Sequence, residues 1–400
     1  MLLPHSALSS LLEKPLPERE AAGYLHTAAE IAAQPELWRA TARLMASRAE
    51  ELGAFLGPAP RLLLAGAGSS HYVGLSIAPA LRRVFPCVEA IPSTEILMDP
   101  ESAFPRDEFI LVSFARSGDS PEGNEVARLA AALRPGLARQ LAITCNAKGA
   151  LARIVGALGE GGRVVVLPEL CNDRSLAMTS SFSCMALAGL SLGWAAAPGG
   201  AAAFAERAEG LASLGEAVIP RFSDLAASLA SKGFKRAFFL APRPFLGGAY
   251  EAHLKVQELS GGAILSKAED MLGLRHGFMA AIDPESLVVL LCSSDPYRRA
   301  YELDLARELR AKRLGKTTLV VAETARDFEG LADILFETGS APGVDDDARA
   351  LLAVLPGQLL GLFASLELGL KPDAPSPSGV INRVVQGVAI HPYGRPAGAP

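Results

Sequence analysis

Residues 109–133 read FILVSFARSGDSPEGNEVARLAAAL, and the fold follows from how this stretch is parsed. Residues 109–114 form an apolar run broken only by Ser113, the pattern of a strand covered on both faces. Ala115 to Ser120 are small or polar. Ser120, Pro121 and Glu122 then supply an N-cap, a first-turn proline and a first-turn acid. Val126, Leu129 and Leu133 continue at helical spacing. A strand that passes through a Ser/Gly loop into a helix start presents free N–H groups, the hydroxyls of Ser117 and Ser120, and the positive end of the helix dipole. That predicts an anion site, with phosphate the foremost anion. The loop is not a Walker motif, because no Lys-Ser/Thr pair follows a spaced glycine. Taken alone, the stretch fits an ordinary strand-to-helix turn equally well.

Working outward, the same alternation continues on both sides. Residues 1–55 read as helical. A core strand is predicted at 61–65, followed by Gly66-Ala67-Gly68-Ser69-Ser70-His71 and a helix over 72–84. A short strand at 88–91 leads to a loop at Ser93-Thr94-Glu95. Beyond the opening stretch come a strand at 140–144, a helix near 147–155, a strand at 163–167 and the Ser-rich segment 178–182. Strands alternating with helices at this spacing indicate a doubly wound parallel α/β sheet. The pattern then recurs: 236–241 echoes 61–66, 287–310 echoes 111–134, and 317–322 echoes the strand at 140. This is an internal duplication. The second loop, Ser293-Ser294-Asp295-Pro296, has no glycine, so a phosphate cradle is expected in the first half only. The division expected is a helical segment 1–55, a first domain 56–210, a second domain 211–370 and an extended tail 371–400.

Composition bounds the function. The chain has 400 residues, half of them apolar and a fifth charged, which suits a large core and not disorder. A net charge of -5, with no long basic cluster, argues against nucleic acid as a partner. The N-terminus lacks a basic leader ahead of an apolar core, so no signal peptide is expected. The apolar window 184–198 is too short to span a bilayer, so no membrane partner is expected. The five cysteines are odd in number and never spaced as CxxC, as in a reduced cytoplasmic protein. The six histidines show no HxxxH or HExxH spacing, and no metal site is indicated. Gly66-x-Gly68-x-x-His71 lacks the third glycine of a dinucleotide fingerprint, and no GxSxG elbow exists.

The second half carries the charge. Glu251, Lys255 and Glu258 are four and three residues apart and share one helix face. Two readings stand: a surface Glu251–Lys255 pair worth ~0.3–0.5 kcal/mol, or a carboxylate in a cleft acting as a proton-transfer base with Lys255 beside it. His276, in the glycine-flanked Gly273-Leu274-Arg275-His276-Gly277, is a general-acid candidate, since histidine alone titrates near neutral pH unperturbed.

Gly68-Ser69-Ser70, Ser117-Gly118-Asp119-Ser120-Pro121, Thr179-Ser180 and Glu251-x-x-x-Lys255-x-x-Glu258 together resemble the sugar isomerase (SIS) superfamily. So does Arg275-His276-Gly277. Residues 114–118, 292–297 and 376–387 (SPSGVINRVVQG at the last) more narrowly resemble its tagatose-6-phosphate ketose/aldose isomerase and galactosamine-6-phosphate deaminase subfamily. The resemblance implies tandem SIS domains, each a flavodoxin-like doubly wound parallel sheet. It implies a substrate-binding set of Gly68, Ser69, Ser70, Arg116, Ser117, Gly118, Ser120, Thr179 and Ser180. It also implies a catalytic set of Glu258, His276, Lys255 and Glu251, with proton transfer at Glu258 and ring opening at His276. Ala115 stands where the related glucosamine-6-phosphate synthase has a phosphate-loop serine, and that enzyme's C-terminal lysine falls near Gln386. No cysteine-led glutaminase domain is present, which favours release of ammonia or plain isomerisation.

The function expected is conversion of galactosamine 6-phosphate to tagatose 6-phosphate and ammonia in the cytoplasm, by a homodimer or larger homo-oligomer. No cofactor is expected, because fixed dipoles suffice for an enolamine intermediate. Plain isomerisation of a hexose 6-phosphate and a non-catalytic phosphosugar sensor are the alternatives. A sensor needs neither Glu258 nor His276.

Overall fold

Two five-stranded parallel sheets carry the molecule in the computed structural model, which describes residues 5–58, 61–195, 197, 199–376, 378–385 and 387–394. The first contains β1 (Arg61–Gly66), β2 (Cys87–Pro92), β3 (Phe109–Ala115), β4 (Ala138–Thr144) and β5 (Gly162–Val166), in the order β2-β1-β3-β4-β5. The second contains β6 (Arg236–Ala241), β7 (Leu265–Asp270), β8 (Ser286–Leu291), β9 (Thr317–Ala322) and β10 (Ile334–Glu337), in the order β7-β6-β8-β9-β10. Numbered within its own half, each is 2-1-3-4-5, the flavodoxin order. The duplication read from the sequence is therefore a duplication of topology.

The unbroken apolar runs become central strands because both faces are covered. In β3, Ile110, Val112 and Phe114 join the large core between the sheets, while Phe109 and Leu111 face a second core with Leu63, Val126 and Leu129. In β8, Leu287, Val289 and Leu291 join that large core, while Val288 and Leu290 pack outward with Leu305 and Leu309. Between the sheets lie the helices Ser69–Leu81, Ser180–Ala195, Gly200–Lys232, Arg243–Leu259 and Leu355–Glu367. The boundary expected at 210/211 falls inside the continuous helix Gly200–Lys232.

Two local expectations change. Helix formation after β1 begins at Ser69, three residues earlier than the pattern implied, so Ser69 and Ser70 sit on its first turn. Ser93 to Glu95 open a helix, Ser93–Met98, where a loop was expected. Among the described residues only the helical stretch Asp346–Glu367 is long and apolar enough to cross a membrane, and 89% of its most apolar 18-residue window is buried inside the molecule.

Candidate active site

In a 2-1-3-4-5 sheet, the chain leaves β1 toward one edge and β3 toward the other. A crevice therefore opens beyond the carboxyl ends of these two neighbours. Both Ser/Gly loops lie there. After β1, Gly66 must be glycine, because a Cβ would come within 2.4 Å of the Ser70 backbone, and Gly68 takes φ 55° to start the helix. After β3, the Ser117 hydroxyl accepts from Asp119 N at 3.2 Å, which leaves its own proton to donate outward. Asn146 Nδ2 holds the Ser117 carbonyl at 2.8 Å, and Asp119 Oδ1 accepts from Ala150 N at 3.0 Å. These bonds fix the loop against the turn after β4. The Ser120 hydroxyl donates to Glu122 Oε2 at 2.7 Å. Ser70, Ser117, Gly118 and Ser120 line one cleft of about 690 Å³ of open space, together with Ser93, Asn124, Arg383 and Val385.

The second domain reaches this crevice through the helix Arg243–Leu259. Gly247 lets it lie against the helix Ser69–Leu81, since a Cβ there would come within 2.3 Å of Ser76 N. Gly357 gives the same close approach on its other side, to Ala252. The result is a buried charge triad. Lys255 Nζ lies 3.1 Å from Glu251 Oε1 and 2.5 Å from Glu258 Oε2, and donates to Ser69 Oγ at 3.1 Å. The side chains of Glu251 and Lys255 have no exposure, whereas Glu258 keeps 23%. The surface-pair reading fails on that burial. Desolvation pushes the Glu251 carboxyl up to about 7; Lys255 pulls it down and Glu258 pushes it up. Burial would depress the Lys255 ammonium, but its two carboxylates outweigh that and raise it.

Other candidates stand apart from this centre. The hydroxyls of Thr179, Ser180 and Ser181, and their backbone N–H groups, all point to the Asp173 carboxylate, which caps the helix Ser180–Ala195. Arg116 is buried and donates to the carbonyls of Ser175 (3.1 Å), Leu176 (3.0 Å) and Arg383 (2.7 Å), so its guanidinium ties the tail to the crevice wall. His276 is exposed on the turn after β7 and lines none of the cleft that Ser70 and Ser117 share. Gln386 lies outside the described residues. Two participants went unread in the sequence. Asp173 caps a helix that begins seven residues downstream of it, and Arg383, inside the motif already singled out, bonds the Asp173 carbonyl at 2.9 Å and enters the cleft.

No family model matches the chain. A Streptomyces coelicolor protein provisionally named D-galactosamine-6-phosphate deaminase AgaS is 41% identical over 379 residues, 92% of this chain and 95% of that one. The chain belongs to the AgaS family. A Shewanella relative named D-galactosamine-6-phosphate deaminase AgaS is 35% identical, over 93% of each chain. Among solved structures, a Clostridium novyi protein provisionally named a tagatose-6-phosphate ketose/aldose isomerase superposes with a TM-score of 0.88 at 33% identity, covering 98% of this chain and 100% of that one. The AgaS relatives thus match this chain over nearly its whole length, and the Clostridium novyi structure shares its fold.

Proposed function

We propose that this AgaS family member converts galactosamine 6-phosphate and water to tagatose 6-phosphate and ammonia. The observation that carries the reading is the bridge from Glu258 through Lys255 to Ser69, which brings a partly exposed carboxylate of the second domain to the anion loops of the first. The phosphate would sit on Ser117 to Ser120, where a hydroxyl proton, loop N–H groups and a helix start converge. Ring opening gives a 2-amino aldehyde. Glu258 then takes the C2 proton, and reprotonation at C1 leaves an imine at C2. Water adds to that carbon and the nitrogen departs as ammonia. Lys255 holds the Glu258 carboxylate in position through their ion pair, and Glu251 balances Lys255. Thr179 and Ser180 serve the substrate indirectly in this scheme, by shaping the wall that Arg116 and Arg383 close.

His276 is assigned to ring opening in a neighbouring subunit's crevice, since its own surface is exposed; the active unit is then at least a dimer. The family's named members support a phosphosugar substrate. The test is to incubate the protein with galactosamine 6-phosphate and with glucosamine 6-phosphate while assaying ammonia and ketose. Ketose and ammonia in equal amounts from the galacto sugar are expected. Interconversion of tagatose 6-phosphate with its aldose, without ammonia release from either amino sugar, would leave plain isomerisation as the function.

A further inference from the structure

The second sheet repeats the crevice of the first, and something already occupies it. β8 is the counterpart of β3, and the loop that leaves it runs Cys292-Ser293-Ser294-Asp295 into the helix Pro296–Lys312. The two loops share their internal bonding. Ser293 Oγ accepts from Asp295 N at 3.0 Å, as Ser117 Oγ accepts from Asp119 N at 3.2 Å. Each loop then enters its helix through proline. Ser293 and Ser294 therefore stand where Ser117 and Gly118 stand in the first domain.

Seated on that second loop is the carboxylate of Asp346. It accepts from the Ser293 hydroxyl, from Ser294 N at 3.1 Å, from the Ser294 hydroxyl at 2.9 Å and from Arg298 Nη2 at 2.9 Å. Two hydroxyls, a loop N–H and a guanidinium around one buried anion make a complete anion site. Burial pushes the Asp346 carboxyl up, yet these bonds outweigh burial and hold it below the usual range. The flanking residues hold it in place: Asp347 pairs with Arg83 of the first domain, and Asp345 pairs with Arg207 of the long connecting helix. The missing glycine thus did not remove anion binding from the second loop.

We propose that residues 293–298 form a second anion-binding site, built like the phosphate loop of the first domain and kept filled by the chain's own Asp346 carboxylate. Asp346 stands in for a tetrahedral oxyanion, so only the first crevice is open to a phosphosugar. Emptying the site by Asp346→Ala should expose it to inorganic phosphate. Neither residue touches the catalytic triad, so this site stands or falls separately from the deaminase reading.

The experiment is a calorimetric titration with inorganic phosphate, alongside thermal unfolding at increasing phosphate. Asp346→Ala should bind one more phosphate per chain than the wild type and gain a steeper rise in melting midpoint. Adding Arg298→Ala should remove the extra event. A folded Asp346→Ala protein with wild-type phosphate stoichiometry overturns the proposal. Should that variant not fold, a stability cycle between Asp346→Asn and Arg298→Gln decides instead. Coupling of at least about 10-fold in the folding constant is expected, and strictly additive losses overturn it.

Discussion

Glu258 differs from its two charged neighbours in one respect: a quarter of its side chain, near enough, still meets solvent, while Glu251 and Lys255 meet none. A base must be able to reach a substrate, and of the three only Glu258 keeps any exposure. Glu258→Gln keeps the size and removes the base, so turnover should fall by ~100-fold or more while sugar phosphate still binds. Substrate deuterated at C2 checks this independently: the wild type should exchange label with solvent, and the variant should not. Undiminished exchange in the variant would sink the assignment. Lys255 is the structural keystone of the same group. Lys255→Met leaves Glu251 buried beside a second carboxylate, a loss of ~3–5 kcal/mol where the charge remains. Glu251 can relieve this by binding a proton, because its carboxyl already sits at about 7 and would rise further without Lys255. A raised carboxyl contributes stability that is lost as pH climbs through its folded value. Denaturation should therefore show a larger loss at about pH 8 than at about pH 6; equal losses would mean Glu251 is not the group left unpaired.

At the scale of elements, strands read easily and contacts between elements did not. Residues 109–114 and 236–241 declare themselves because a doubly covered strand has no polar face to lose, and the Ser-Pro and Asp-Pro helix starts are written in adjacent residues. The helix at Ser93 was missed because Pro92 and a Ser-Thr pair read equally well as a turn. The burial of Lys255 was illegible because it depends on Gly247 and Gly357 letting two other helices close in. Asp173 was missed because a cap drawn from seven residues before the helix has no local signature. The same helix contact hides two titratable groups. His71 on the helix Ser69–Leu81 and His253 on the helix Arg243–Leu259 flank the stacked Tyr72–Tyr250 pair, whose ring centroids are 5.5 Å apart. Burial lowers both imidazoles to about 4, and Lys267 adds to the effect at His253. Depressed below the unfolded value of 6.5, they favour the fold fully above that pH, and this contribution is lost as pH falls toward 4. Glu30, Glu251 and Glu302, each pushed up to about 7 by burial, act in the opposite sense. The histidine effect is therefore read as a difference. A His71→Phe/His253→Phe protein should lose less stability than the wild type between about pH 7 and pH 5. Parallel curves would place the acid sensitivity elsewhere.

For the whole molecule, the arrangement asks where the ring-opening acid comes from. In the proposed scheme the crevice of the first domain draws its base from the second domain of the same chain, where Lys255, paired with Glu258, donates to Ser69 of the first domain. His276 has no such route: it projects from the turn after β7, exposed, beside an Arg275–Glu308 pair at 2.6 Å on the outer side of the second sheet. If it works in a neighbour's crevice, each site of a twofold dimer is shared, with Glu258 from one subunit and His276 from the other. Two inactive proteins can then repair each other. Glu258→Gln and His276→Asn should each be inactive on closed-ring substrate. Refolded together in equal amounts, they should form mixed dimers in which one of the two sites combines an intact Glu258 with an intact His276. Random pairing puts half the molecules in that form, so about a quarter of wild-type ammonia release should return. The recovered activity should also scale with dimer formed and vanish when either variant is in large excess. Mixtures that stay as inactive as their components, although mixed dimers are present, would place His276 in its own subunit's site or outside the reaction.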